Sequence, residues 1–261
     1  MQLMRPMSFG EILDGAFKIY RSHFMPMFLS ALISYAPFML IGAAVAMAAG
    51  AGDSATGLAA AGLTAIVSVP LMLLGFGVSW GSVTHLTSEA YLGRPVTLGA
   101  GLGRGLKRAL PLFGALIVGG FLIMLGFLFF IVPGFIVMAM FFAMFPAVVV
   151  EGRGPIAALG RSRELARGSL GRILGVVFVA GLIASLPNYA VTIYAAATGA
   201  GSIETASSTG AFLGTQALSL LLSALAAPFS TAVTVLLYYD RRIRSEGLDV
   251  QMMAEGIPAF A

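Results

Sequence analysis

Long apolar stretches separated by basic clusters constrain this chain more than any other feature of its sequence. Six mostly apolar runs cover about 24–50, 58–87, 109–131, a fourth reaching 150, then 170–197 and 211–239. Each meets or approaches the roughly 20 residues that a helix needs to cross the hydrocarbon of a bilayer. All fifteen Lys and Arg residues avoid the interiors of these runs. They stand at 5, 18 and 21, at 94, 104, 107 and 108, at 153, 161, 163, 167 and 172, and at 241, 242 and 244. The alternate connections carry no Lys or Arg, and their only charges are Asp53 and Glu204. Because cytoplasmic loops carry the basic excess, this asymmetry predicts a multi-pass protein of the cell's inner membrane with both ends in the cytoplasm.

Composition agrees, with 59% hydrophobic and only 10% charged residues. Soluble domains carry about 25% charged residues, so lipid is the expected solvent for this chain. The net charge of +4 arises beside apolar runs, where attraction to anionic inner-leaflet headgroups explains it. Nucleic acid is therefore not an expected partner. Without Cys, the chain has no disulfide, thiolate chemistry or Cys-held metal. The first 23 residues contain Glu11 and Asp14 and lack a continuous apolar core, so they do not read as a signal peptide.

Pro133 and Gly134 predict a tight reversal between the third and fourth runs, since one unbroken helix there would be far longer than the membrane is thick. The basic segments predict three short amphipathic helices on the cytoplasmic side. The first places Phe9, Ile12, Leu13, Ala16, Phe17 and Tyr20 on one face, with Ser8 and Glu11 forming a capping box. The second places Leu98, Leu102 and Leu106 together after a Thr97 cap. In the third, Ile156, Leu159 and Leu165 follow Pro155 in a first-turn position. A short helix followed by a membrane hairpin thus recurs as units 8–90, 97–150 and 155–239, ahead of a short tail, 240–261. Ordinary loop helices meeting the membrane surface account for the same pattern without a repeat.

Candidate functional residues are few. Arg104, Lys107, Arg108, Arg161, Arg163 and Arg167 are the expected contacts with lipid headgroups. His85 and Glu89 share a helical face at the end of the second run, and Asn188 beside Pro187 is a polar group within the fifth. A proton-handling pair or headgroup site is one reading; water-boundary placement and helix packing is the other. No ionisable group lies near the middle of a run, which lowers the expectation of ion-coupled transport. Pro37, Pro70, Pro146, Pro187 and Pro228 interrupt five runs, and broken helices can line a path or only pack irregularly. Gly77 with Gly81, and Gly171 with Gly175, suit close helix contact in a bundle or homo-oligomer. The alternating glycines 99, 101, 103 and 105 lack the GxxxxGK[ST] pattern of a phosphate loop.

Four stretches carry a family resemblance. They run from Phe9-Gly10-Glu11-Ile12-Leu13-Asp14-Gly15 to Arg21, then Ile131-Val132-Pro133-Gly134, then Pro146 through Glu151 to Ser162, then Tyr238-Tyr239-Asp240-Arg241-Arg242-Ile243-Arg244 to Asp249. Through them the chain resembles the six-span proteins related to the membrane domain of glycerophosphoryl diester phosphodiesterase, and the YciC-like integral membrane proteins. The resemblance implies an all-α bundle of six transmembrane helices. It implies no catalytic residue, because the chain has no room for the soluble phosphodiesterase barrel. The expectation is a non-enzymatic membrane protein without cofactor or metal, binding lipid or a membrane partner. The alternative is a small transporter or lipid-translocating protein, and an intramembrane enzyme would need His23, His85 and Glu89 to converge.

Overall fold

The computed structural model describes residues 5–50, 54–198 and 209–248; Asp53, Glu204 and residues 249–261 of the expected tail lie outside them. The described residues form ten helices: α1 (Phe9–Ser22), α2 (Phe24–Gly50), α3 (Ser54–Tyr91), α4 (Leu98–Lys107), α5 (Ala109–Phe129), α6 (Ile131–Met140), α7 (Met144–Val149), α8 (Pro155–Ala166), α9 (Leu170–Thr198) and α10 (Thr209–Glu246). Among these residues five segments are long and apolar enough to cross a membrane: Val69–Tyr91, Ala109–Phe129, Ile131–Val149, Leu170–Ile193 and Ala217–Glu246. Phe24–Pro37 is a shorter apolar helix. The chain is a polytopic, all-α membrane protein.

α10 is the central helix at the charged end. Every residue from 231 to 241 is buried, the mostly apolar Ala232 to Tyr239 as a helix apolar on most sides requires and Asp240 and Arg241 in spite of their charge. It packs against α9, α2, α1 and α3. α5 and α9 are peripheral, and leave Leu128, Phe129, Phe178 and Leu186 exposed. In lipid such side chains need no protein cover, since the surrounding hydrocarbon is equally apolar.

The hairpin between the third and fourth runs turns one step earlier than expected. Phe130 is the break, with extended backbone at φ −166° and ψ 159°, while Pro133 and Gly134 lie inside the first turn of α6. A proline costs nothing there, because first-turn N–H groups have no partner within the helix. Gly134 is needed for space: a Cβ at that position would run into the Phe127 ring of α5.

The fourth run is one span in two pieces. α6 and α7 are interrupted at residues 141–143, and Ser162 of α8 bridges the gap. The Ser162 hydroxyl accepts from the Ala143 N–H at 2.9 Å and donates to the Met140 carbonyl at 2.9 Å. Within lipid, backbone groups freed by a helix break must find partners in the protein, and a buried serine supplies both.

The three short segments are helical, but they are placed differently from surface helices. α1 runs lengthwise along α10: Met7 meets Asp240, Phe17 meets Phe229, and the Tyr20 hydroxyl donates to the Leu225 carbonyl at 2.7 Å. Its capping box is formed, with Glu11 N–H donating to Ser8 Oγ and Ser8 N–H donating to Glu11 Oε2. α4 buries glycines rather than leucines. Gly101 and Gly105 face α3, and a Cβ on Gly105 would stand 2.6 Å from the Val78 carbonyl oxygen, whereas Leu106 is 64% exposed. Gly99 and Gly103 meet nothing, so the glycine run is a packing face with period four. α8 buries Ala158, Leu159, Ser162, Leu165 and Ala166 in the core and leaves Ile156 exposed. The expected apolar faces dock in part: Ile12, Ala16, Leu159 and Leu165 are buried, whereas Phe9, Phe17, Leu106 and Ile156 of the same faces are exposed.

Candidate functional site

Two regions hold the polar side chains of this bundle: a charged cap at one end, and a cavity among the spans. In the cap, Glu151 follows α7 and is a hub. Its carboxylate accepts from Arg161 Nε at 2.8 Å, from Arg153 Nε at 2.6 Å and from the Tyr238 hydroxyl at 2.8 Å. Arg161 also pairs with Glu246, which accepts from Arg242 Nε at 3.1 Å. Burial pushes the Glu151 carboxyl up, but the hydrogen bonds from Arg161, Arg153 and Tyr238 outweigh it and hold the group below its ordinary range. The bond to Glu246 leads the causes that raise Arg161 above the usual guanidinium value, keeping it charged.

A second cluster centres on Asp240, whose side chain is fully buried. It pairs with Arg172 Nη2 at 3.2 Å and Arg244 Nε at 3.0 Å, and accepts from the Met7 N–H at 2.8 Å. The Met7 carbonyl in turn accepts from both arginines, so the backbone of residue 7 is held on both sides.

Further arginines close helix ends. Arg104 of α4 donates to the Val149 carbonyl from Nε at 3.2 Å and Nη2 at 2.8 Å, at the end of α7. Arg241 donates to the Leu165 and Arg167 carbonyls at 2.9 and 3.2 Å, at the end of α8. Arg108 donates to the Gly152 carbonyl at 3.1 Å, where Gly152 takes φ +72°, a conformation that disfavours any side chain. The last carbonyls of a helix lack partners within it and carry partial negative charge, so a guanidinium is well matched to them.

The five arginines and one lysine expected at headgroups therefore divide. Arg104, Arg108 and Arg161 are engaged inside the protein, while Lys107, Arg163 and Arg167 have exposed side chains. Around His85, the polar residues of α3 also divide: Glu89 pairs with Arg94 at 3.6 Å, and Ser88 shares a 2.6 Å hydrogen bond with Tyr239. The buried hydroxyls of Thr84, Thr87 and Tyr91 have no hydrogen-bond partner among the described residues. Among the described residues, no group of three or more His, Cys, Asp or Glu is arranged to hold a metal.

The cavity has a volume of about 750 Å³ and lies between α2, α3, α9 and α10. At about 1.5 Å per residue, Trp80 is roughly 16 Å along α3 from Tyr91, and Asn188 roughly 27 Å along α9 from Leu170. The space thus lies within the spans, away from the cap. Its aromatic wall is Tyr35, Phe76 and Trp80, with ring centroids 6.4 and 5.8 Å apart, backed by Phe145 at 4.9 Å from Trp80. Its polar wall comes from Asn188 and Ser185 on α9 and from Ser219, Ser223 and Ser230 on α10. Among the described residues, no Lys, Arg, Asp, Glu or His lines it. Each enclosing helix has a proline inside it: Pro37, Pro70, Pro187 and Pro228. A proline removes one rung of the hydrogen-bond ladder and disturbs straight packing, which suits helices that part around a space.

Of the intramembrane candidates, Asn188 lines this cavity, and His85 and Glu89 do not. The serines were missed from the sequence, although a signal existed. Residues 219, 223, 226 and 230 recur at helical spacing as Ser, Ser, Ala and Ser, and 181, 184, 185 and 188 as Gly, Ala, Ser and Asn. No protein-family model, curated protein or solved structure matches this chain. The chain is a polytopic membrane protein with several apolar helices.

Proposed function

We propose that this chain is a non-enzymatic membrane protein that binds a lipid-class amphiphile in the cavity between α2, α3, α9 and α10. One observation carries this reading: an uncharged space of about 750 Å³ within the spans, apolar on one wall and hydroxyl-bearing on the other. Sites for single small ligands measure roughly 300–1,000 Å³, mostly apolar with a few placed polar groups. The full α2 counts as a sixth span in this reading, and the cap faces the cytoplasm, in keeping with the basic residues gathered there. The exposed Lys107, Arg163 and Arg167 then meet anionic headgroups, and the resemblance to the phosphodiesterase-linked membrane domains belongs to the same reading.

Gly181→Phe is the test. Gly181 lines the cavity, and a Cβ there meets no atom within 4 Å, so the backbone position accepts a side chain whose bulk is added at the cavity wall. Native mass spectrometry of protein released from membranes should find an amphiphile retained by the unaltered chain and lost from the variant. Equal retention by both would remove the cavity from the function. Lipid translocation is the second reading, favoured by the four proline-bearing helices around the cavity.

A further inference from the structure

We infer that the cavity selects an amphiphile with an uncharged hydroxyl or amide head over one with a phosphate head; this rests on the amphiphile-binding reading above. The directions of the hydrogen bonds carry the argument. Ser185 donates its hydroxyl to the Leu182 carbonyl at 2.9 Å, and Ser230 donates to the Ala227 carbonyl at 3.0 Å. Their protons are committed to their own helices, so each oxygen presents lone pairs to the cavity. Asn188 has the opposite character: its Oδ1 accepts from Ser223 at 3.4 Å, and its amide N–H donors have no partner among the described residues. At Ser185, Ser230 and Asn188 the polar wall therefore offers two acceptors beside one amide donor pair, and no Lys or Arg is among the described residues that line it.

A head that both donates and accepts, such as an alcohol or an amide, is matched by Ser185, Ser230 and Asn188 together. It donates to a serine oxygen and accepts from the Asn188 amide. A phosphate would face serine lone pairs without a Lys or Arg to balance its charge, within a low-dielectric span. The cap has arginines in abundance, yet those nearest in kind to a phosphate site, Arg104, Arg108 and Arg161, are already bonded to carbonyls and carboxylates elsewhere.

Trp80 makes the inference measurable, because it is the chain's single Trp and lines the cavity. Solubilised protein is titrated with three brominated chains of one length, an alkane, a primary alcohol and an alkyl phosphate, and quenching of Trp80 fluorescence is read. The alcohol should bind at least about tenfold tighter than the phosphate, reflecting the unbalanced charge. Asn188→Leu should erase the advantage of the alcohol over the alkane while alkane quenching persists, which also shows that the variant is folded. Ser185→Ala should narrow the same advantage. A phosphate that quenches as tightly as the alcohol would overturn the inference and leave an amphiphile site standing. Absence of quenching by all three chains would overturn both this inference and the reading on which it rests.

Discussion

The charged cap and the cavity use polar side chains in opposite ways. In the cap, polar groups find one another: Asp240 has two arginines and a backbone N–H, and Glu151 has two arginines and a tyrosine hydroxyl. In the cavity, Asn188 and the serines leave hydrogen-bonding capacity unused. A bundle in lipid gains little from apolar contact between helices, because lipid tails compete equally for those surfaces. Ion pairs and carbonyl caps at one end can therefore fasten helices whose other halves remain apart. The difference gives the buried arginines of the cap a structural role and leaves the uncharged cavity residues as the ones for which ligand contact is proposed, the reverse of what charge alone predicts.

The contrast is broken most sharply at Asp240. Asp240→Ala leaves Arg172, Arg244 and the Met7 amide without their shared partner, and should cost about 4 kcal/mol. Denaturant unfolding in micelles measures it, and a loss under about 1 kcal/mol would mean that the cap does not fasten the bundle. Glu151→Gln should cost about 2 kcal/mol by leaving Arg161 underpaired. Its pH dependence has a definite sign. The folded carboxyl titrates below its ordinary value, so the stability it adds is present above the ordinary carboxylate range. That stability disappears as pH falls through the lowered value, and the gap between wild type and variant should close there.

Gly105→Ala tests the other fastening in this half, the close approach of α4 to α3. The added methyl would stand 2.6 Å from the Val78 carbonyl oxygen, and the expected loss is about 2 kcal/mol by thermal unfolding. Ser162→Ala should cost about 1.5 kcal/mol, because the Ala143 N–H and Met140 carbonyl lose their bridge. The smallest effect belongs to the cavity. Ser223→Ala should change stability by less than about 0.5 kcal/mol, since it removes one long hydrogen bond beside an open space. A large loss there would erase the distinction between the two regions.

Local features were legible from the residues alone. The first run ends where α2 ends, α5 begins at the expected Ala109, and the Ser8 capping box and Pro155 start are both present. Gly77 and Gly81 face a neighbour, with a Cβ on each meeting Leu112, whereas Gly171 meets nothing. What could not be read depends on partners distant in the chain. Arg104 and Arg161 look like headgroup ligands until the Val149 carbonyl and the Glu151 carboxylate come beside them. Ser162 gains its role only where α6 breaks. The cavity needs four helices side by side, though the small-residue stripes on α9 and α10 already pointed toward it.

The grip on Met7 also sets an order of assembly. Its amide and carbonyl dock on groups from residues 172, 240 and 244, which a ribosome adds long after residue 7 has emerged. The earliest helix to be made must wait for the latest before it can settle. Docking of residue 7 thus follows synthesis of residue 244, and nascent chains halted before residue 240 should leave their leading segment open to protease.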